Sequence, residues 1–218
     1  MSTTSDYTDL DFSREFGVAR ETVSRLSTYV DLLWKRNQEL NLVAESTLQQ
    51  VWRRHILDSA QLLTLIPDNA KSIIDLGSGA GFPGMVLAIM AADRAGLGVH
   101  LVESTQKKCR FLDEVKDATG APVTVHWARA EALPVSKADV ITARAVAPLE
   151  KLLGLAYPFF KSDSIGLFLK GKSLADELTL ASKSWKLDST LIPSRSDPSG
   201  TVLRVTGLSP WRKPKKPS

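Results

Sequence analysis

Ser72-Ile-Ile-Asp-Leu-Gly-Ser-Gly-Ala-Gly-Phe-Pro-Gly84 is the stretch from which the rest of the chain can be ordered. Ile73 and Ile74 begin an apolar run of the kind found in a parallel strand covered on both faces, where no alternation is required. Gly77, Gly79 and Gly81 then recur at every second position, so the chain can bend sharply and expose bare backbone to a ligand. Pro83 suits the first turn of a helix, where no amide hydrogen is missed, and Met85 to Ala92 continues as an apolar helix. Strand, glycine bend and helix start in that order form a nucleotide-cofactor cradle.

A dinucleotide fingerprint would need its third glycine at position 82, which is Phe82. The chain instead has Asp75 before the first glycine, followed by G-x-G-x-G. A carboxylate there can hold an ammonium group, directly or through water, but repels a pyrophosphate. A ligand with a positive end, as S-adenosylmethionine has, is therefore favoured over a dinucleotide. The alternative is a tight turn whose glycines serve packing alone.

The 218 residues suit one large domain with a small appendage, and 43% hydrophobic against 24% charged residues is ordinary for a globular core. No apolar run reaches membrane-span length and the polar start is no signal peptide, so no membrane association is expected. The lone Cys109 excludes an internal disulfide framework and fits a cytoplasmic protein. Its cationic neighbours could activate a thiolate, though a small core residue is the simpler reading. A net charge of +4 is compatible with a polyanionic partner. Acids gather before residue 16 (Asp6, Asp9, Asp11, Glu15), whereas Arg212, Lys213, Lys215 and Lys216 make a basic tail.

Val23, Leu26, Val30, Leu33 and Leu40 share one face of a helix over residues 19–40. Glu15 to Gly17 separates it from a short or frayed helical start. Leu48, Val51, Trp52, Ile56, Leu63 and Ile66 give a second helix over 48–66, stopped by Pro67. These helices form an N-terminal cap (1–66) expected to pack on the main domain (67–208), with 209–218 as a basic tail. From residue 72, strands and helices alternate. Strands fall at Val99–Glu103, Val123–Trp127, Ala138–Arg144 and Ile165–Lys170, with a closing hairpin near 186–193 and 201–206. The expected fold is α/β: a Rossmann-like, seven-stranded, mostly parallel sheet with helices on both faces, the plan of S-adenosylmethionine-dependent methyltransferases. Gly166-Leu-Phe-Leu-Lys-Gly-Lys-Ser173 matches a phosphate-loop pattern, but Leu167 to Leu169 is itself a buried strand whose amides belong to the sheet ladder.

Ligands of an open α/β sheet sit beyond the strands' carboxyl ends, where the chain has Asp75, Glu103, Arg129 to Glu131, Arg144 and Lys170. Glu103 can accept both ribose hydroxyl hydrogens, or serve as an acid at a helix N-terminus. Ala130 and Glu131 can border an adenine. His55, His100 and His126 lack a second ligand at metal spacing, so no metal site is expected. Arg53, Arg54, Lys107, Lys108, Arg110 and the tail are candidate RNA contacts, each also readable as a solvated helix face.

The motifs Asn41-Leu, His55-Ile-Leu-Asp-Ser59, Asp75 to Gly84, Glu103-Ser-x-x-Lys-Lys-x-x-Phe-Leu112, Arg129-Ala-Glu131, Arg144-Ala-Val-Ala-Pro148 and Lys170-Gly171 together resemble the RsmG family. These are the bacterial 16S ribosomal RNA guanine-N7 methyltransferases, formerly glucose-inhibited division protein B. The resemblance runs from about residue 35 to 207. It implies S-adenosylmethionine contacts at Gly77, Phe82, Ala130, Glu131 and Arg144, and a guanine of the 530 loop, in 16S RNA or the 30S particle, as target. Guanine N7 carries no proton, so a dedicated general base is unnecessary and in-line positioning suffices. Arg144 or Lys170 could orient the base, though Arg144 could instead hold the cofactor's carboxylate. A monomer is expected. A methyltransferase acting on another RNA or a small molecule, and a non-catalytic RNA-binding or cofactor-sensing module, remain open readings at this stage.

Overall fold

The structure, a computed structural model, describes residues 7–134 and 136–211. Seven strands form one sheet in the order β3-β2-β1-β4-β5-β7-β6. They are β1 (Ser72–Leu76), β2 (Gly98–Glu103), β3 (Val123–Trp127), β4 (Ala138–Arg144), β5 (Phe160–Lys170), β6 (Trp185–Pro193) and β7 (Thr201–Pro210). The first five run parallel, and β7 inserts antiparallel between β5 and β6. The order reverses at β1, whose neighbours are β2 and β4, so the ligand crevice opens beyond Leu76.

β1 feeds both faces of the sheet. Ile73 belongs to a core with α5 (Gly84–Met90) and α6 (Gln106–Thr119), and Ile74 to a core with α7 (Leu149–Ala156) and α8 (Leu174–Ala181). This is why the run does not alternate. Leu167, Phe168 and Leu169 pair with β4 on one side and β7 on the other, so the phosphate-loop-like sequence is ladder and not loop.

The N-terminal helices share the first core. α1 (Asp9–Phe16) is a closed helix, with Thr8 and Asp11 forming a capping box and Phe12 fully buried against Trp52. α2 (Arg20–Leu40) buries Leu26, Tyr29, Val30, Leu33 and Asn37. It is fastened to α6 by a bidentate Arg36–Glu114 pair at 2.9 and 3.0 Å. Asn41 takes the left-handed conformation that ends α2, and the Asn37 side chain accepts the Val43 amide hydrogen at 2.9 Å.

Three expectations need correction. The helix foreseen over 48–66 is broken into α3 (Glu45–Leu48), a π-helical stretch (Trp52–Leu57), α4 (Asp58–Ala60) and a 3-10 turn (Gln61–Leu65). The wider turn displaces the side chains away from a simple 3.6-residue stripe. β5 begins at Phe160, five residues before the expected Ile165, because its first half pairs only at Ala138 before a register shift. β7 continues through Ser209 and Pro210, which the sequence assigned to the tail, since β6 still offers partners there. Asp6 and the tail cations Arg212, Lys213, Lys215 and Lys216 lie outside the described residues.

Tyr29 joins the cap to the cradle. Its hydroxyl donates to the Ala80 carbonyl in the glycine bend, and both residues are buried. Tyr29→Phe leaves that carbonyl unpaired, so urea denaturation is expected to report a loss of about 1–2 kcal/mol. An unchanged midpoint would contradict the bridge.

Candidate functional site

The glycine bend follows β1 directly. Gly77 has φ +62°, and a Cβ there would meet Val146 at 2.8 Å, so both its conformation and its smallness are required. Gly79 is different: a Cβ would meet nothing closer than the Gly77 carbonyl at 3.8 Å, which leaves open, bare backbone. The Gly79 amide donates to Glu103 Oε2 at 2.9 Å, and the Thr105 amide to Oε1 at 2.7 Å. Glu103, 6% exposed, thus braces the bend against the end of β2. Each of its oxygens keeps a second lone pair for a diol.

Asp75 is enclosed by protein. It is 0% exposed, and its Oδ1 accepts from Thr142 Oγ1 at 2.7 Å. Its Oδ2 is buried without a hydrogen-bond partner, beneath the start of α5, where a Cβ on Gly84 would lie 2.9 Å away. Direct capture of an ammonium group by Asp75, expected from the sequence, is corrected: α5 closes over it. Burial raises its pKa to about 6, against the lowering effect of Thr142, Ser78, Gly84 and Arg144.

Phe82 is also inside, 3% exposed, so its ring faces protein and only its backbone remains for a ligand. Tyr29 stacks at 5.2 Å, His55 at 4.9 Å, and the Arg144 guanidinium lies 4.8 Å above the ring centroid. Ala145 adopts φ +54°, a strained left-handed conformation for alanine. The turn sends Arg144 toward a cleft and Val146 over Gly77.

That cleft, about 470 Å³, opens beyond β4 and β5. Arg144 and Lys170, expected at strand ends, both line it, together with His55, Asp58, Thr47 and Arg54 of the cap. Arg144 Nη1 donates to the Arg54 carbonyl at 3.1 Å and meets Asp58 Oδ2 at 3.4 Å. Burial works against the Arg144 charge while Asp58 supports it, and the balance lies below the usual arginine value. Lys170 Nζ pairs with Glu177 at 2.6 Å and reaches the Ala147 carbonyl at 3.3 Å. Burial tends to raise the Glu177 pKa, but hydrogen bonds from Lys170, Ser173 and the Leu149 amide hold it below the usual range.

His55 was read as a packing residue, and it is 6% exposed. The Thr47 hydroxyl spends its proton on the Ala44 carbonyl at 2.7 Å, so it accepts from His55 Nε2 at 2.8 Å. The proton therefore sits on Nε2, and the buried Nδ1 is a bare, unpartnered acceptor. Burial, with Arg144 and Arg54 adding, depresses the His55 pKa to about 3 and keeps the ring neutral.

Arg53 and Arg54 are not simply free for RNA. Arg54 pairs with Asp197 at 2.7 Å, and Arg53 Nε donates to the Ser196 carbonyl at 3.3 Å, binding the 194–200 loop to the cap. Asp58 Oδ1 accepts from Ser196 Oγ at 2.6 Å in the same junction. Ala130 and Glu131 lie on a short turn after β3, Ala130 half-buried and Glu131 exposed. Lys107 and Arg110 are exposed on α6, outside the cleft, with Lys108 half-buried beside them. Cys109 is buried, and burial with Glu103 and Asp113 pushes its thiol up to about 11, so it is a core residue and no nucleophile. Among the described residues no group of three or more metal-ligating side chains occurs, and no helix is long and apolar enough to cross a membrane.

Sequence reasoning missed Glu177 and the 194–200 loop as parts of the cleft, whereas Asp58, one helical turn from His55, is legible as a residue that seats the cap. Tyr29 carried a faint signal, as a polar residue three positions after Leu26 on an apolar helical face.

The family model described as rRNA small subunit methyltransferase G matches residues 22–196. A ribosomal RNA small subunit methyltransferase G of Parvibaculum lavamentivorans is 53% identical over 199 residues, covering 90% of this chain and 88% of that protein. The corresponding Rhodospirillum centenum protein is 51% identical over 200 residues, covering 92% and 91%. Among solved structures, an S-adenosylmethionine-dependent methyltransferase from Aquifex aeolicus superposes with a TM-score of 0.55. It is 14% identical and covers 72% of this chain and 92% of its own, a likeness of fold.

Asp75 gives a signed pH dependence. A carboxyl group whose folded pKa is raised from 3.8 to about 6 stabilises the fold below the unfolded value. That stability disappears as pH rises through 6. Asp75→Asn keeps the Thr142 contact, because that hydroxyl can accept as well as donate. Relative to the parent, the variant is expected to gain about 2 kcal/mol between pH 4 and pH 7, read from denaturant melts. Parallel pH profiles would remove the buried-charge reading. Gly77→Asp, which adds a side chain against Val146, is expected to abolish cofactor-analogue binding measured by calorimetry.

Proposed function

This chain belongs to the ribosomal RNA small subunit methyltransferase G family, and on that footing we propose that it methylates guanine N7 in the 530 loop of 16S ribosomal RNA. The proposed methyl donor is S-adenosylmethionine, and the acceptor is 16S RNA, free or within the 30S particle. The observation that carries the reading is the adjacency of two unlike spaces. One is a bend of bare backbone at Gly79, braced by Glu103; the other is a cleft holding Arg144 and Lys170. Arg144 belongs to both, since its guanidinium lies over Phe82 of the bend while it lines the cleft.

The bend fits the donor by its construction: open backbone at Gly79, and a buried carboxylate with lone pairs to spare beside it. Gly77, Gly79, Gly81, the Phe82 backbone, Glu103, Ala130, Glu131 and Arg144 are the proposed holders. When bound, the donor supplies an electrophilic methyl group on a sulfonium sulfur. The guanine N7 lone pair forms the new N–C bond as the C–S bond breaks, leaving a thioether and a cationic N7-methylguanine. No proton leaves N7, and the residues of the cleft suit this: His55 is held neutral with its proton committed to Thr47.

The contribution of the chain is orientation. Arg144 Nη1 is occupied by Asp58 and the Arg54 carbonyl. The remaining N–H groups of Arg144 have no partner among the described residues and are suited to O6. A contact on O6 alone leaves N7 free to react. Lys170, positioned by Glu177 and the Ala147 carbonyl, keeps one ammonium hydrogen as a further donor beside the base. Residues of the 42–47 and 194–200 segments wall the cleft.

Purified protein incubated with labelled S-adenosylmethionine and 30S particles or 16S RNA is expected to label the RNA, with strand scission at N7-methylguanine mapping to the 530 loop. Label in small acceptors only, or in no acceptor, would refute the proposal. Arg144→Ala is expected to lower kcat by about 100-fold, with Arg144→Lys only partly restoring it because the planar fork is lost.

A further inference from the structure

The most exposed aromatic side chain among the described residues stands outside the cleft. Trp127 ends β3, the sheet's edge strand, and is 61% exposed. Its position is nevertheless fixed. The indole Nε1–H donates to the Ser104 carbonyl at 3.0 Å, on the turn between β2 and α6. The ring's one polar group is thus satisfied by protein, and its apolar surface is left to solvent. A fixed ring with its apolar surface open to solvent has the geometry to stack a flat partner.

The residues beside its two anchoring segments select the partner. Ser104 leads directly into α6, whose first turns carry Lys107, Lys108 and Arg110, and Arg129 follows Trp127 by two residues. None of these four cations forms an ion pair among the described residues. Arg36, Arg54, Arg144, Lys161, Lys170 and Arg195, in contrast, all pair with acids. An aromatic face with uncommitted cations within a few residues of its two anchoring segments matches an unstacked base with its neighbouring phosphates. An apolar protein surface would leave those cations desolvated without partners.

We infer that Trp127, Lys107, Lys108, Arg110 and Arg129 form a docking surface for a single-stranded segment of the RNA substrate, separate from the target guanine. One base stacks on the Trp127 indole, and the cations neutralise the phosphates on either side. The surface adjoins Glu103 at the end of β2, whereas the cleft opens beyond β4 and β5, so RNA held on both straddles the glycine bend. The inference rests on the RNA-methylating reading above for its substrate.

The test uses the full chain and separates RNA affinity from cofactor affinity. Methyl transfer to 16S RNA is measured for the parent, Trp127→Ala, Trp127→Phe and the double variant Lys107→Gln/Lys108→Gln, with S-adenosylhomocysteine affinity measured by calorimetry. Trp127→Ala is expected to raise the RNA KM about ten-fold, with the rate at saturating RNA and the S-adenosylhomocysteine affinity retained. Trp127→Phe restores most of the loss, because a phenyl ring still stacks. The lysine pair is expected to reduce the salt slope of RNA affinity by about one unit or more. An unchanged RNA KM in Trp127→Ala overturns the surface, as does a loss of S-adenosylhomocysteine affinity in its place, which would assign the indole to the cofactor. If the parent transfers no methyl group to RNA, the functional reading fails. The surface is then decided by direct RNA binding of parent and Trp127→Ala in fluorescence anisotropy, where equal affinities overturn it.

Discussion

The Phe82 ring is the contact on which both the cradle and the cleft depend. It is buried among Tyr29 from α2, His55 from the π-helical stretch and Arg144 from the end of β4. Aromatic pairs contribute about 0.5–1.5 kcal/mol each beyond area burial, and a desolvated cation over a ring about 2 kcal/mol. Three elements distant in sequence therefore meet on one side chain, which itself sits inside the glycine bend. The cap is for this reason no detachable module: its helices complete the same core as α5 and α6.

The charges around that ring form a graded set. Asp75 lies beneath, buried with one oxygen unpartnered and pushed toward protonation; Asp58 lies on the cap side, paired with Arg144. A charged imidazole in this place would add a second buried cation beside Arg144. The depressed His55 pKa avoids that, and Thr47 holds the ring in the tautomer that leaves Nδ1 bare. With its pKa depressed to about 3, His55 Nδ1 is a weak base, which agrees with a transfer to an atom that carries no proton.

The antiparallel end of the sheet does more than finish the fold. β6 and β7 bring the 194–200 loop back to the cap, where Arg53, Arg54, Asp58 and Gln61 grip it. Arg195 extends the junction to α1 through Glu15 and over the Phe16 ring. The cleft is thus walled by the cap and the 194–200 loop, and its shape depends on both.

The sequence by itself determined the strand–bend–helix unit, the alternation from residue 72, the parallel sheet with its terminal hairpin, and the strand ends that bear Glu103, Arg144 and Lys170. Each of these is encoded by neighbours within a few positions: glycine spacing, a proline at a helix start, apolar runs of strand length. Only the tertiary structure decided what those residues touch. Asp75 is screened because α5 approaches closely at Gly84 and Thr142 arrives from another strand, and no local pattern records either event. Arg54 is committed because Asp197, 143 positions away, is folded against it. The π-helical turn escaped a reading built on 3.6-residue spacing, although it carries His55 to Phe82. Short-range chemistry writes the backbone's path, but burial and charge pairing belong to the whole packed chain, and these govern which side chains stay free to meet a ligand.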